Sequence, residues 1–259
     1  MNVAAYLHRI GYDGPLDPTS ETLRRLHLAH LYSVPFENLS IHWGEPIELD
    51  DEALFEKVVA RRRGGFCYEL NGLFAALLRN LGFDVAMLAA EVCGAAGTFS
   101  PAFDHMALLV SLEDRWLADV GFGDSFREPL RLDERGEQTE GDLAYRIEET
   151  ADGRLIVARR EAGGTWKAQY RFGLEPHVYA DYAERCRFHQ TSPDSHFTRN
   201  RICSLATPDG RVTLSGMKLL TTRGGEKQER ELADDREYGE ALRRHFGIET
   251  AAGLPASSR

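Results

Sequence analysis

The chain has little cysteine: four residues in 259, Cys67, Cys93, Cys186 and Cys203. None forms a C-x-x-C pair and none stands at metal-ligand spacing from a histidine, so neither a bound metal nor a disulfide framework is expected. Long apolar runs are also missing. No window of 18 or more apolar residues is free of charge, which argues against a membrane-spanning helix. The opening residues, MNVAAYLHRIGYDG, lack the basic start and apolar centre of a signal peptide. A cytoplasmic protein with reduced thiols is the expectation. Positive charge is in deficit as well: 31 Lys and Arg stand against 41 Asp and Glu, a net charge of −10. Without a basic stripe there is no counterion release to drive nucleic-acid binding, so that partner is excluded. The run Arg61-Arg62-Arg63 is too short to change this and reads as a helix end.

What is present suffices for a globular core of two or three packing units. Residues 1–83 read as helical. Ser20 is placed to cap a helix carrying Leu23, Leu26, Leu31 and Val34, which Pro35 stops. Asp50 and Asp51 open another, with Leu54, Phe55, Val58 and Val59 on one face. The clearest helix runs from Cys67 to Leu81, with Leu70, Leu73, Phe74, Leu77 and Leu78 in one stripe and Gly82 as its stop. From residue 84 the period becomes that of strands, as in VAMLAAEV, HMALLVSL and RWLADVGF, with a hairpin turn expected at Asp152-Gly153. After residue 176 the pattern is mixed: a helix at VYADYAERC, a hairpin around Asp209-Gly210, a last helix at REYGEALRRHFGI, and a tail, AAGLPASSR, expected to be mobile. Helices, then strands, then a mixed segment point to an α+β fold, divided near 1–83, 84–187 and 188–259.

The stretch RGGFCYELNG sets Cys67 at a helix start, where unpaired N–H groups and the helix dipole favour a thiolate. Gly64 and Gly65 suggest an unusual backbone turn or a close approach. The Cys67 amide is available to an oxyanion. A cysteine nucleophile needs a base, and the base an orienting group. Of nine histidines, His8, His27 and His30 read as surface or satisfied residues on N-terminal helices. His42, His177, His189, His196 and His245 show no carboxylate geometry. His105 differs, because it begins HMALLVSL and is followed by RWLADVGFG. A three-residue turn at Leu112–Asp114 pairs residue 111 with 115. It makes His105 and Asp119 diagonal neighbours on one face, whereas a one-residue slip separates them. The expected triad is Cys67, His105 and Asp119. The other three cysteines read as structural thiols.

The blocks YLHRIGYDG, VPFENLSIHWG, RGGFCYELNGLF, FDHMALLV, ADVGFG and FHQTSPDSHF, in this order, resemble those of the arylamine N-acetyltransferases across nearly the whole chain. The resemblance implies a helical bundle, an antiparallel β-barrel and a C-terminal α/β lid. It implies acetyl-coenzyme A as co-substrate, with no metal, and a small aromatic amine or hydrazine as acceptor. The acetyl group would pass through a Cys67 thioester. Phe122 is expected to line the substrate pocket, and Phe36 to approach it. Arg63 and Glu37, from two of the blocks, are expected to form a buried ion pair under the active loop. The stretch Ser100–Asp104 departs from the small polar residues found there in some members, so coenzyme contacts are not assigned to residues. An acidic protein with an anionic co-substrate needs a local positive patch, which the sequence does not locate. The same triad order also fits a thiol hydrolase of papain or transglutaminase type, or the amide-synthase branch of the family. A catalytically silent binding module is the reading from another class.

Overall fold

The structure is a computed structural model that describes residues 1–249. The tail AAGLPASSR lies outside the described residues. Helix α1 (Val3–Ile10) is capped by Asn2, whose side chain accepts from the Ala5 N–H. Helix α2 (Ser20–Ser33) is capped by Thr19 rather than by the expected Ser20: Thr19 Oγ1 accepts from the Thr22 N–H at 3.2 Å. Val34, before Pro35, is extended, as steric conflict with the proline ring requires. The chain therefore leaves α2 as a short strand, β1 (Phe36–Glu37), inside the stretch read as helical. Helices α3 (Leu39–Trp43) and α4 (Asp51–Phe55) follow, and Asp50 caps α4 as expected. A π-helical turn, Glu56–Ala60, swings Lys57 into the interior. Helix α5 (Cys67–Asn80) is buried from Cys67 to Leu78 and forms the axis of the main core with Tyr6, Leu23, Leu26 and Val58.

Eight antiparallel strands follow: β2 (Asp84–Val92), β3 (His105–Ser111), β4 (Arg115–Ala118), β5 (Leu130–Arg131), β6 (Gln138–Glu140), β7 (Leu143–Glu149), β8 (Leu155–Glu161) and β9 (Lys167–His177). Their order is β5-β4-β3-β2-β9-β8-β7-β6. The two edges are brought together by the Gln138 side chain. It accepts from the Arg131 N–H at 2.8 Å and donates to the Arg131 carbonyl at 3.0 Å, so the sheet is a nearly closed barrel. Ser111 pairs with Arg115, which is the three-residue turn expected at Leu112–Asp114. Asp152-Gly153 lies in the expected hairpin turn, which spans 150–154, with Glu149 opposite Leu155.

Helices α6 (Tyr179–Thr191) and α7 (His196–Arg199) lead to a second antiparallel sheet. It is built from β10 (Ile202–Thr207), β11 (Gly210–Ser215), β12 (Lys218–Arg223) and β13 (Glu226–Glu231), with β1 on its far edge. Helix α8 (Asp235–Phe246) lays Tyr238, Leu242 and Phe246 on Cys203, Val212 and Leu214. Pairing of Phe36 with Ser204 ties this sheet to the N-terminal helices beside the loop that precedes Cys67. No helix among the described residues is long and apolar enough to cross a membrane.

Candidate active site

The loop before Cys67 is shaped by close approach rather than by left-handed glycines. Of its residues only Arg62 has a positive φ, 53°. A Cβ on Gly64 would lie 1.9 Å from the Pro35 carbonyl oxygen, and one on Gly65 2.7 Å from the Glu69 Cβ. Glu69 accepts from the Phe66 N–H at 3.0 Å and from Lys57 Nζ at 2.6 Å, so a buried ion pair fixes the residue before Cys67. Arg63 reaches Glu37 at 2.8 Å, both buried, which is the expected pair. Arg63 also contacts Glu45 and Ser40, and stacks 4.2 Å over the Trp43 ring.

Cys67 is 4% exposed at the first position of α5. Burial pushes its thiol well above the ordinary range. The Met106 backbone amide against the sulfur opposes this, and the Asp119 and Asp104 carboxylates reinforce it. The helix start argues for a lowered pKa, and burial of the sulfur acts in the opposite direction.

His105 Nε2 lies 2.7 Å from Asp119 Oδ2, both side chains buried. The structure thereby brings the expected histidine and aspartate together, beside the amide that touches the Cys67 sulfur. Burial alone would raise the Asp119 carboxyl. His105, the Asn71 amide and the Gly121 N–H more than offset it and hold the carboxyl below its usual range. Gly121 must be glycine, because a Cβ there would sit 2.8 Å from the Cys67 Cα and 2.7 Å from Asn71 Nδ2.

Comparisons with known proteins identify the family. A family model described as N-acetyltransferase matches residues 19–254. The arylamine N-acetyltransferase of Mycolicibacterium smegmatis is 35% identical over 256 residues, covering 96% of this chain and 92% of that protein. The solved arylamine N-acetyltransferase of Salmonella typhimurium superposes with a TM-score of 0.89 at 33% identity, covering 95% of this chain and 90% of the other. The Mycobacterium marinum enzyme, solved in complex with CoA, gives 0.88 at 34% identity, covering 95% and 93%. The chain belongs to the arylamine N-acetyltransferase family. It is an acyltransferase with the α+β fold of that family.

Two aromatic residues named from the sequence lie near His105 and Gly123. The half-buried Phe122 stands edge-on to His105 at 5.2 Å between ring centroids and 5.1 Å from Tyr170. Phe36 is also half-buried and is the nearest side chain to Gly123. Phe197 joins them, 6.1 Å from Phe36 and 5.6 Å from Phe66.

Three supporting residues were not singled out from the sequence. Asn71, one turn beyond Cys67, donates to the Met106 carbonyl at 2.6 Å and to Asp119 Oδ1 at 2.8 Å, and accepts from the Val120 N–H at 2.9 Å. It joins α5 to both the β3 start and the loop that carries Asp119. His27, read as a surface or satisfied residue, is fully buried. Its Nε2 accepts from the Asp119 N–H at 3.0 Å, and its Nδ1 donates to the Arg127 carbonyl at 2.7 Å. Burial lowers its pKa to about 4, so it serves as a neutral acceptor. His189, for which no carboxylate was foreseen, lies 2.9 Å from Asp104, the residue before His105, and 3.1 Å from Ser195 Oγ. Their common signal is a polar side chain on an otherwise apolar helix face, which needs a partner. Among the described residues no group of three or more His, Cys, Asp or Glu could hold a metal ion.

Proposed function

We propose that this acyltransferase moves an acetyl group from acetyl-coenzyme A to the nitrogen of an arylamine or arylhydrazine, through a thioester on Cys67. The observation that carries the reading is the buried 2.7 Å contact of His105 with Asp119, set against the helix that begins at Cys67. Asp119 holds Nε2, which leaves Nδ1 as the ring nitrogen available to the thiol. Because burial disfavours a lone thiolate, Cys67 gives up its proton only as His105 takes it, and the ion pair forms inside the site. The sulfur attacks the thioester carbonyl. The Cys67 amide at the start of α5 is available to the oxyanion that develops. The coenzyme sulfur then leaves with the proton from His105. In the second half-reaction the aromatic amine, neutral and nucleophilic near pH 7, attacks the Cys67 thioester. His105 accepts the proton that the nitrogen sheds and passes it to the departing Cys67 sulfur. Phe36, Phe122 and Phe197 suit a flat aromatic acceptor.

The test is intact mass after incubation with acetyl-coenzyme A and no amine, with Cys67→Ala alongside. An acetyl adduct that is absent in the variant and discharged by an added arylamine is the expected result. A reactive Cys67 thiol that takes no acetyl from this donor would overturn the reading and leave another acyl donor, as for an amide synthase or a thiol hydrolase.

A further inference from the structure

His105 stands where the barrel holds its chain least. The β2–β3 ladder ends at His105, opposite Ala90, and the β3–β4 ladder starts only at Leu108. The first residues of β3 therefore have a strand partner on one side alone. The turn that delivers them is strained: Phe103 has a φ of 65°, in the left-handed region that a bulky residue seldom adopts. Such a conformation persists only where its surroundings hold it. Tyr68, the residue after Cys67, donates its hydroxyl to the Phe103 carbonyl at 2.6 Å. The Phe103 ring packs edge-on to His177 and Tyr182, at 4.9 and 5.3 Å between ring centroids.

The next residue, Asp104, is clamped from α6. Its Oδ1 accepts from Arg185 Nε at 2.6 Å and from His189 Nε2 at 2.9 Å. His189 is buried, and its Nδ1 lies 3.1 Å from Ser195 Oγ, which also accepts from the Phe197 N–H. The Ser195 hydroxyl can thus donate to Nδ1, which leaves the Nε2 proton for the carboxylate. Burial alone would raise the Asp104 carboxyl; His189 first, then Ser100 and Arg185, hold it down at about 2. It stays ionised through the neutral range. A second His–Asp pair therefore stands one residue away from the first, and the mechanism above makes no use of it. As a charge, Asp104 adds to the rise of the Cys67 thiol and works against a thiolate. Its service to the site is the anchor it offers the chain.

We infer that Asp104 is a positioning residue for the reaction: clamped by Arg185 and His189, it locks the left-handed turn at Phe103 and so fixes where β3 presents the His105 imidazole. The inference rests on the reading of His105 as the base for Cys67. The clamp draws on separate parts of the chain. Arg185 and His189 belong to α6, Ser195 caps α7, and Tyr68 lies on the helix that begins at Cys67. Without these contacts the turn is free to relax to an ordinary φ, and a backbone change at Phe103 displaces a residue only two positions on.

The test is alkylation of Cys67 by iodoacetamide, read by peptide mass across a range of pH, which needs no acyl donor. Near pH 7 the buried thiol reacts through proton loss to His105, and at high pH through proton loss to hydroxide. His105→Ala, measured first, should be slow near neutrality and recover as pH rises. A wild-type profile in that variant would overturn the reading of His105 as the base, before any change at Asp104 is judged. Asp104→Ala should follow the same profile, about tenfold slower than wild type near neutrality, the effect of one charge-assisted hydrogen bond, with the gap closing at high pH. Asp104→Asn, whose amide oxygen accepts from the same donors, should recover most of the lost rate. His189→Leu, a change on α6, should show the Asp104→Ala profile in lesser degree, and it decides the question if Asp104→Ala does not fold. A merely structural role would loosen the fold and speed alkylation at every pH, or leave the profile as in wild type. Either result, or an Asp104→Asn protein as slow as Asp104→Ala, would overturn the positioning role.

Discussion

Asn71→Asp isolates the contact that joins nucleophile, histidine and aspartate, because it changes charge without changing shape. The Val120 N–H fixes the amide oxygen of Asn71 on its side, so the NH2 group must face Asp119 Oδ1 at 2.8 Å. The substitution places a carboxylate oxygen there instead. Two unit charges at that separation and an effective dielectric of about 20 repel by roughly 6 kcal/mol. The pair therefore keeps one proton through the neutral range. The sign of the pH dependence then inverts. In the wild type Asp119 is held below its usual range, so it contributes stability that is present above the unfolded carboxyl pKa and lost as pH falls through the folded one. In the variant the shared carboxyl is raised. Stability is fully present below about pH 4 and falls by up to about 1.4 kcal/mol per pH unit as pH rises. Denaturant midpoints measured across this range should decline with pH in Asn71→Asp and not in wild type. Asn71→Ala should be less stable than wild type but without the new slope. Parallel curves for Asn71→Asp and wild type would show that the amide does not face Asp119, and the account of the site would fail with it.

Gly121→Ala puts a Cβ against the Cys67 backbone, where neither side can yield. It should cost about 1–3 kcal/mol and slow thioester formation even well below its melting temperature; wild-type acylation rates in this variant would refute the close packing. His27, whose folded pKa is lowered to about 4, contributes stability above its unfolded pKa that is lost as pH falls toward the folded one. His27→Leu should remove about 3 kcal/mol of the acid-side loss between about pH 6.5 and 4, read as the difference in unfolding free energy at the two ends. An unaltered slope would mean that His27 is not the neutral acceptor described. Glu37→Gln leaves the buried Arg63 with the partly exposed Glu45 as its carboxylate partner and should cost up to about 3–5 kcal/mol. The double variant with Arg63→Met should lose less than the sum of the single changes, and strict additivity would deny the coupling.

The features legible in the sequence are those set by local period. The leucine stripe and Gly82 delimit α5, and the apolar alternation around the acidic break at 113–114 fixes the β3–β4 register that aligns His105 with Asp119. What was not legible depends on distant partners. Strand β13 reads EKQERE and is exposed along its length, so no apolar alternation marks it. It exists because β12 offers a free edge, and its charges are what an outer strand carries to discourage further pairing. Strand β1 is two residues long and forms only because β10, 165 or so positions later, lies beside it. The role of Asn71 could have been suspected from an amide amid leucines one turn after the cysteine. Its three partners come from the β3 start and the aspartate loop, which no helical pattern reveals.

The burial of Cys67 shows why these supports matter for chemistry. A helix start argues for a thiolate most strongly while the sulfur stays wet. Here it is 4% exposed, and desolvation pushes the thiol the other way. On the proposed mechanism ionisation is a joint act: the sulfur loses its proton to an imidazole that Asp119 stabilises, and Asn71, Gly121 and His27 hold Asp119. Residues that act as one unit lose function together, so changes at Cys67, His105 and Asp119 should be far from additive. Removing His105 and Asp119 at once should slow Cys67 acylation about as much as removing His105 alone, because without the imidazole the carboxylate only adds like charge beside the sulfur. Losses that multiply in the double variant would instead mean that Asp119 acts on Cys67 by a route independent of His105.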